Sequence, residues 1–167
     1  MGLDMYLSAR KYINKIDWDL LDRNSDSDTR YANAITPEYR NVVDMAGMSH
    51  IQDDNDVYGA HVQVNCLYWR KVNAVHNWFV ENVQDNVDNC HEYYVSQNKL
   101  IELLDTCKEA YKNRDPKLIP PQDGFFFGGT DINEWYWAGI KYTIDELERI
   151  TELPEFSDLS FYYQSSW

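Results

Sequence analysis

Leu3, Met5 and Leu7 alternate with Asp4, Tyr6 and Ser8, a period of two that predicts a half-buried strand opening the chain and reaching about Tyr12. A second alternation covers 60–66, with Val62, Val64 and Cys66 on one face and His61, Gln63 and Asn65 on the other. Leu159, Phe161 and Tyr163 alternate near the other end and predict a closing strand. Two shorter runs, 92–95 and 125–127, read as brief strands, the second ended by Gly128-Gly129.

Elsewhere the apolar positions take helical spacing. Thr36-Pro37 is a helix start, with Thr as N-cap and Pro in the first turn, and Gly47 is its stop. Trp69, Val72, His76, Phe79 and Val83 predict a long helix over 67–83. Ser96 caps a helix whose stripe is Leu100, Leu103, Leu104, Cys107 and Tyr111. Thr130 reads as the cap of the last helix, with Asp131 and Glu134 in its first turn and Ile132, Tyr136, Ile140, Thr143, Leu147 and Ile150 as its stripe; Pro154 ends it. Residues 14–34, centred on Asn24-Ser25-Asp26-Ser27-Asp28, read as an exposed loop or insert, and 49–57 as a second, acidic loop. Strands and helices interleave without a strand, Gly-rich turn and helix fingerprint. The expected class is therefore α+β, a small mixed or antiparallel sheet with about three to four helices packed on it.

Composition narrows this picture. A chain of 167 residues, 44% hydrophobic, is expected to form one domain over 1–167 with a substantial core. The net charge of −13 argues against non-specific nucleic-acid binding, which needs Lys and Arg to displace counterions, and against anionic membranes. Cys66, Cys90 and Cys107 are odd in number and widely spaced, so no disulfide framework is implied. No basic leader and no long apolar run is visible, and a cytoplasmic setting is the expectation.

The acids are unevenly placed. None of the 28 falls in 57–80, a window that holds Arg70, Lys71 and His76. On the predicted helix Arg70, Asn73 and Asn77 share one face, with Trp69, Asn73 and His76 on an adjoining stripe. Arg as a fork donor, Asn as a two-way hydrogen bonder and Trp as a stacking plate suit an anionic or planar, nucleotide-like ligand. The alternative is a buried helix whose polar side chains tie down neighbouring loops. Phe127 and Gly128, just before the last helix, join the candidate set. Two glycines ahead of a helix can bind phosphate, although Asp131 and Glu134 oppose an anion there.

Other chemistries fit less well. Asp54, Asp56 and Gly59 match the first, third and sixth positions of a calcium loop, but Tyr58 and Asn65 stand where ligands are needed. Asp85, Asp88 and His91 would hold a metal only if a loop gathered them. No nucleophile elbow and no His-Glu-x-x-His helix occurs. The sequence thus points to no cofactor, metal or assigned catalytic residue.

Several motifs together carry a resemblance: Met1-Gly2-Leu3-Asp4-Met5-Tyr6-Leu7, then Tyr68-Trp69-Arg70-Lys71-x-Asn73-x-x-His76-x-Trp78-Phe79-Val80, then Glu92-Tyr93-Tyr94-Val95-Ser96, then Gly124-Phe125-Phe126-Phe127-Gly128. In these the chain resembles a family of small uncharacterised proteins of bacteriophages and some bacteria. The likeness is weak over 13–60. It implies a phage accessory protein in the host cytoplasm and no particular activity. Three functions follow as expectations. The first is a non-catalytic module that sequesters a small ligand or binds and modulates a host protein. The second is an acidic inhibitor imitating nucleic acid, since 131–158 carries eight acids against Lys141 and Arg149. The third is a small hydrolase using His76 with a carboxylate such as Asp4 or Glu92. Oligomeric state is left open.

Overall fold

The computed structural model describes residues 2–21, 27–54 and 56–167, and the side chains of 27–29 lie outside the description. In order along the chain come β1 (Asp4–Asn14), α1 (Ser27–Asn33), α2 (Pro37–Met45), β2 (Gly59–Arg70), α3 (Asn73–Asn82), β3 (Tyr93–Val95), α4 (Gln97–Asn113), α5 (Glu134–Thr151) and β4 (Ser160–Ser166). The strands form one antiparallel sheet in the order β2-β1-β4-β3, and the class is α+β as expected. The chain divides into two compact units, residues 1–9 with 64–167, and residues 10–63; the boundaries fall inside β1 and β2.

In the larger unit the inward residues of the sheet meet three helices in one core. Leu3 just before β1, Met5 and Leu7 of β1, Trp69 of β2 and Phe161 and Tyr163 of β4 pack with Val75 and Phe79 of α3, Leu100, Leu103 and Cys107 of α4, and Ile140 and Leu147 of α5. Each large apolar side chain buried in this way contributes about 1.5–3 kcal/mol. Phe79 and Tyr163 stack with centroids 3.9 Å apart and planes 10° from parallel. Opposite Tyr163 on β3 stands Tyr93, and opposite Phe161 stands Val95. Ser96 caps α4 as predicted, its hydroxyl accepting from the Lys99 amide. The helix ends at Arg114 in the left-handed region (φ 54°), whose guanidinium lies over the rings of Tyr111 and Trp137.

Three expectations need correction in this unit. The first is the helix over 67–83. Residues 67–70 continue β2, the chain turns at Lys71 in the left-handed region (φ 57°), and α3 begins only at Asn73. The buried positions of β2 explain the misreading. From Ala60 to Cys66 the partly buried residues are even-numbered (Ala60, Val62 and Cys66); from there the buried pair is Leu67 and Trp69. A one-residue slip of this kind, as a bulge makes, breaks the period-two pattern. Trp69 then falls by chance at helical spacing from Val72 and His76.

The second is 125–127, which forms a turn and not a strand. The Phe127 amide donates to the Gly124 carbonyl at 3.1 Å, and a Cβ at Gly124 would lie 2.7 Å from Cγ of Phe127. Only glycine lets that ring fold back. The third is the cap of α5. Asn133, not Thr130, accepts from the amides of Trp135 and Tyr136. Asn is the stronger cap, and the residues 128–133 ahead of the helix are all exposed.

The smaller unit carries a core of its own, Ile35, Tyr39 and Val43, with Ile13, Ile16, Ile51, Val57 and Ala60 against it. Thr36 caps α2 as expected, accepting from the Tyr39 amide, and Gly47 follows with φ 71°. The polar reading of 14–34 is corrected in its described part. Ile16 bridges Ile35, Lys15 is buried, and 27–33 is helical; residues 22–26, the centre of the expected loop, lie outside the described residues. Burial pulls the Lys15 ammonium below its usual pKa, against the raising effect of Asp53 and Asp54. It is held by the Asp54 carbonyl at 2.6 Å and by the Tyr39 ring. The acidic loop expected over 49–57 opens as a short 3-10 helix, Ser49–Ile51; Asn55 lies outside the description.

Candidate functional site

The larger unit contains a groove of about 680 Å³ where the end of β2, the start of α3, the turn at Gly128-Gly129 and the first turns of α5 meet. That volume suits a small ligand. Of the sequence-predicted residues, the structure brings Trp69, Arg70, Asn73 and Gly128 to its wall. They arrive from different elements: Trp69 and Arg70 at the end of a strand, Asn73 at a helix start, Gly128 in a loop. The helix face that was to hold Arg70, Asn73 and Asn77 therefore does not exist, although two of the three still meet.

Each wall residue has a definite role. Trp69 is buried and donates from Nε1 to Oγ1 of Thr143 at 2.9 Å, so it forms the floor. Asn73, also buried, donates from Nδ2 to the Gly129 carbonyl at 3.0 Å and pins the glycine turn to α3. Gly128 adopts φ 92°, a conformation that L side chains resist, and its α-carbon faces the stem of Lys71. Arg70 keeps 63% of its side chain exposed, and its one ion-pair partner among the described residues is Asp4 at 4.0 Å. Lys71 is exposed and forms no ion pair among the described residues.

Sequence reasoning missed the other side of the groove. Trp135, 84% exposed, and Tyr142 come from α5, with Ala138 and Gly139 between them on the same stripe. The signal was present: Trp135, Ala138, Gly139 and Tyr142 fall at i, i+3, i+4 and i+7, a small-residue gap framed by aromatics. At Gly139 a Cβ would lie 3.0 Å from a Val72 methyl, so the missing side chain lets α5 approach the start of α3. Tyr142 donates to the Tyr68 carbonyl at 3.1 Å, and Tyr68 donates to Asp4, a bond that raises the Tyr68 pKa. Asp131 is the carboxylate on the groove wall.

His76, Asn77 and Phe127 lie elsewhere. Asn77 donates to Glu81 at 3.1 Å and to the Pro120 carbonyl at 3.4 Å. His76 is fully buried between Oη of Tyr163, 2.8 Å from Nδ1, and a carboxylate oxygen of Asp88, 3.0 Å from Nε2. A carboxylate can only accept, so Nε2 carries the proton of the neutral ring and Tyr163 donates to Nδ1. Burial lowers the His76 pKa, and the hydrogen bond and charge of Asp88 oppose that shift only in part. Phe127 packs edge-on against the imidazole with centroids 4.9 Å apart, and the indole of Trp167 donates to the second Asp88 oxygen at 3.1 Å. The partner of His76 is thus Asp88, while Asp4 serves Tyr68 and Arg70. The imidazole has no exposed surface and both its nitrogens are partnered, as in a satisfied core histidine.

Asp85, Asp88 and His91 do not converge: among the described residues no three His, Cys, Asp or Glu side chains are grouped as metal ligands. No described helix is long and apolar enough to cross a membrane. Set against protein-family models, curated proteins and solved structures, the chain matches none.

Proposed function

We propose that this chain is a non-catalytic binding module of the phage accessory type its motifs resemble, and that it sequesters a small ligand in the groove between β2, α3 and α5. The observation that carries the reading is the meeting of Arg70 and Lys71 with the exposed ring of Trp135 in one concave site. Arg70 meets Asp4 only at 4.0 Å and Lys71 forms no ion pair among the described residues, so both keep charge that an anionic ligand can neutralise. The hydrolase alternative loses its support, because its imidazole is sealed in the core. Mimicry of nucleic acid loses some too. Lys99, Lys108, Lys141 and Arg149 pair with Glu102, Glu148, Asp145 and Glu146, which neutralises carboxylates that a mimic would display.

A thermal-shift panel of nucleotides, sugar phosphates and aromatic acids tests the reading. At least one compound is expected to raise the melting temperature of the native chain and to lose that effect in Arg70→Ala. A shift that persists in Arg70→Ala sinks this placement of the site.

A further inference from the structure

The groove offers more than a place; its wall is divided by chemistry. Arg70 and Lys71 are consecutive cations at the end of β2. Lys71 is a non-glycine residue with φ 57°, an uncommon backbone state for a long side chain. Its stem runs beside Gly2 and Gly128. A Cβ on Gly2 would come within 3.1 Å of the Lys71 Cε and one on Gly128 within 3.6 Å of its Cβ, so both glycines leave the lysine room. Two cations in succession suit a dianion better than a single carboxylate: a phosphate monoester gives Arg a bidentate edge and leaves an oxygen for Lys.

The opposite wall is aromatic. Trp135 exposes 84% of its surface in the first turn of α5, where the α5 core stripe does not use it, and Tyr142 stands two turns further on. Stacking a flat ring on an exposed indole removes apolar area from water at little entropic cost to the protein. Asp131 disfavours a ligand that is anionic throughout, and it accepts from the N–H groups of an amino-substituted ring.

Resting on the binding-module reading above, we infer that the groove takes an amino-substituted planar ring joined to a phosphate monoester, the chemistry of a nucleoside monophosphate: phosphate on Arg70 and Lys71, ring on Trp135. The two halves of such a ligand bind to different residues, so they are separable by experiment.

Adenosine 5′-monophosphate, adenosine and ribose 5-phosphate are titrated against the full chain by calorimetry, with tryptophan fluorescence as a second readout. The monophosphate is expected to bind at least about tenfold more tightly than either half, as one charge-assisted contact or one stacked ring requires. Arg70→Gln and Lys71→Gln should each erase its advantage over adenosine while leaving adenosine binding unchanged. Trp135→Ala should erase its advantage over ribose 5-phosphate and abolish the fluorescence change. All three side chains are exposed, and circular dichroism of each variant checks that the fold is kept. If the monophosphate binds no better than its halves, or none of the three binds by about 10 mM, the ligand class is wrong, and the wider panel still judges the groove. If it binds tightly but all three variants behave as the parent, the groove itself is the wrong site and both readings fall.

Discussion

Changing Tyr163 to Phe isolates the energetic worth of the buried His76 network. The substitution keeps the ring and its stack on Phe79, centroids 3.9 Å apart, and deletes only the hydroxyl that donates to Nδ1 of His76 at 2.8 Å. Both side chains are fully buried, so water does not replace the lost donor. Moving the imidazole proton to Nδ1 gives no relief, because Nε2 would then turn a lone pair toward the Asp88 carboxylate 3.0 Å away. The variant is left with an unpaired buried acceptor, which costs about 1–3 kcal/mol. Urea unfolding at pH 7.5 should show that loss as a lower midpoint with an unchanged slope. A loss below about 0.5 kcal/mol would refute the claim that this hydrogen bond is formed and desolvated. A nitrogen-detected NMR spectrum of the parent showing the proton on Nδ1 would refute the donor assignment.

Four further outcomes are expected. The lowered pKa of His76 means that the unfolded chain binds a proton that the folded chain refuses, so this group's contribution is complete above the unfolded value of about 6.5 and is lost as pH falls below it, by at most about 1.4 kcal/mol per pH unit; His76→Gln should flatten that part of a stability-against-pH curve. Burial pushes the thiols of Cys107 and Cys66 up to about 12 and about 11, so at pH 8 a thiol reagent should leave Cys107 untouched until denaturant is added and modify Cys66 slowly. Asn133→Ala removes the acceptor that holds the Trp135 and Tyr136 amides and should cost about 1 kcal/mol in thermal unfolding, whereas Thr130→Ala should cost almost nothing. Gly59→Ala would set a Cβ against the Tyr12 hydroxyl and 2.6 Å from the Ile13 carbonyl, and it should destabilise the 10–63 unit by about 1–3 kcal/mol, read as earlier amide exchange there.

The elements that were legible in the sequence are those with a local reason to exist. α4 has a serine cap and a continuous stripe, α2 has Thr-Pro and Gly47 at its ends, β4 alternates throughout and β1 alternates over Asp4 to Leu7. The misread elements are those decided by contacts from far along the chain. Phe127 looks like a strand residue until Gly124 and His76 are placed beside it. Lys15 and Ile16 look like loop until Ile35 and Tyr39 cover them. The choice of Asn133 over Thr130 as cap depends on where α5 must start in order to bury Ile140, Thr143 and Leu147.

The structure changes the reason for the acid-free window. Read as one helix, 57–80 would show a single ligand face running from Arg70 to Asn77. Instead it is an edge strand, a left-handed turn and a helix whose interior positions from Asn73 to His76 are all buried. An acid in the buried part would have to shed its water without a partner, a sufficient reason for the absence of carboxylates there. That reason does not reach 68–71. Tyr68, Arg70 and Lys71 are exposed, and carboxylates would be tolerated at those positions on solvation grounds. Core packing therefore leaves the absence of acids unexplained at the exposed positions of the window, among them His61, Gln63, Val64 and Asn65 as well as Tyr68, Arg70 and Lys71; of these, Tyr68, Arg70 and Lys71 open onto the groove. On the binding-module proposal, the residues of the window that would meet a ligand are those few, with Trp135 in the same groove, and not the helix where the sequence pattern first drew them.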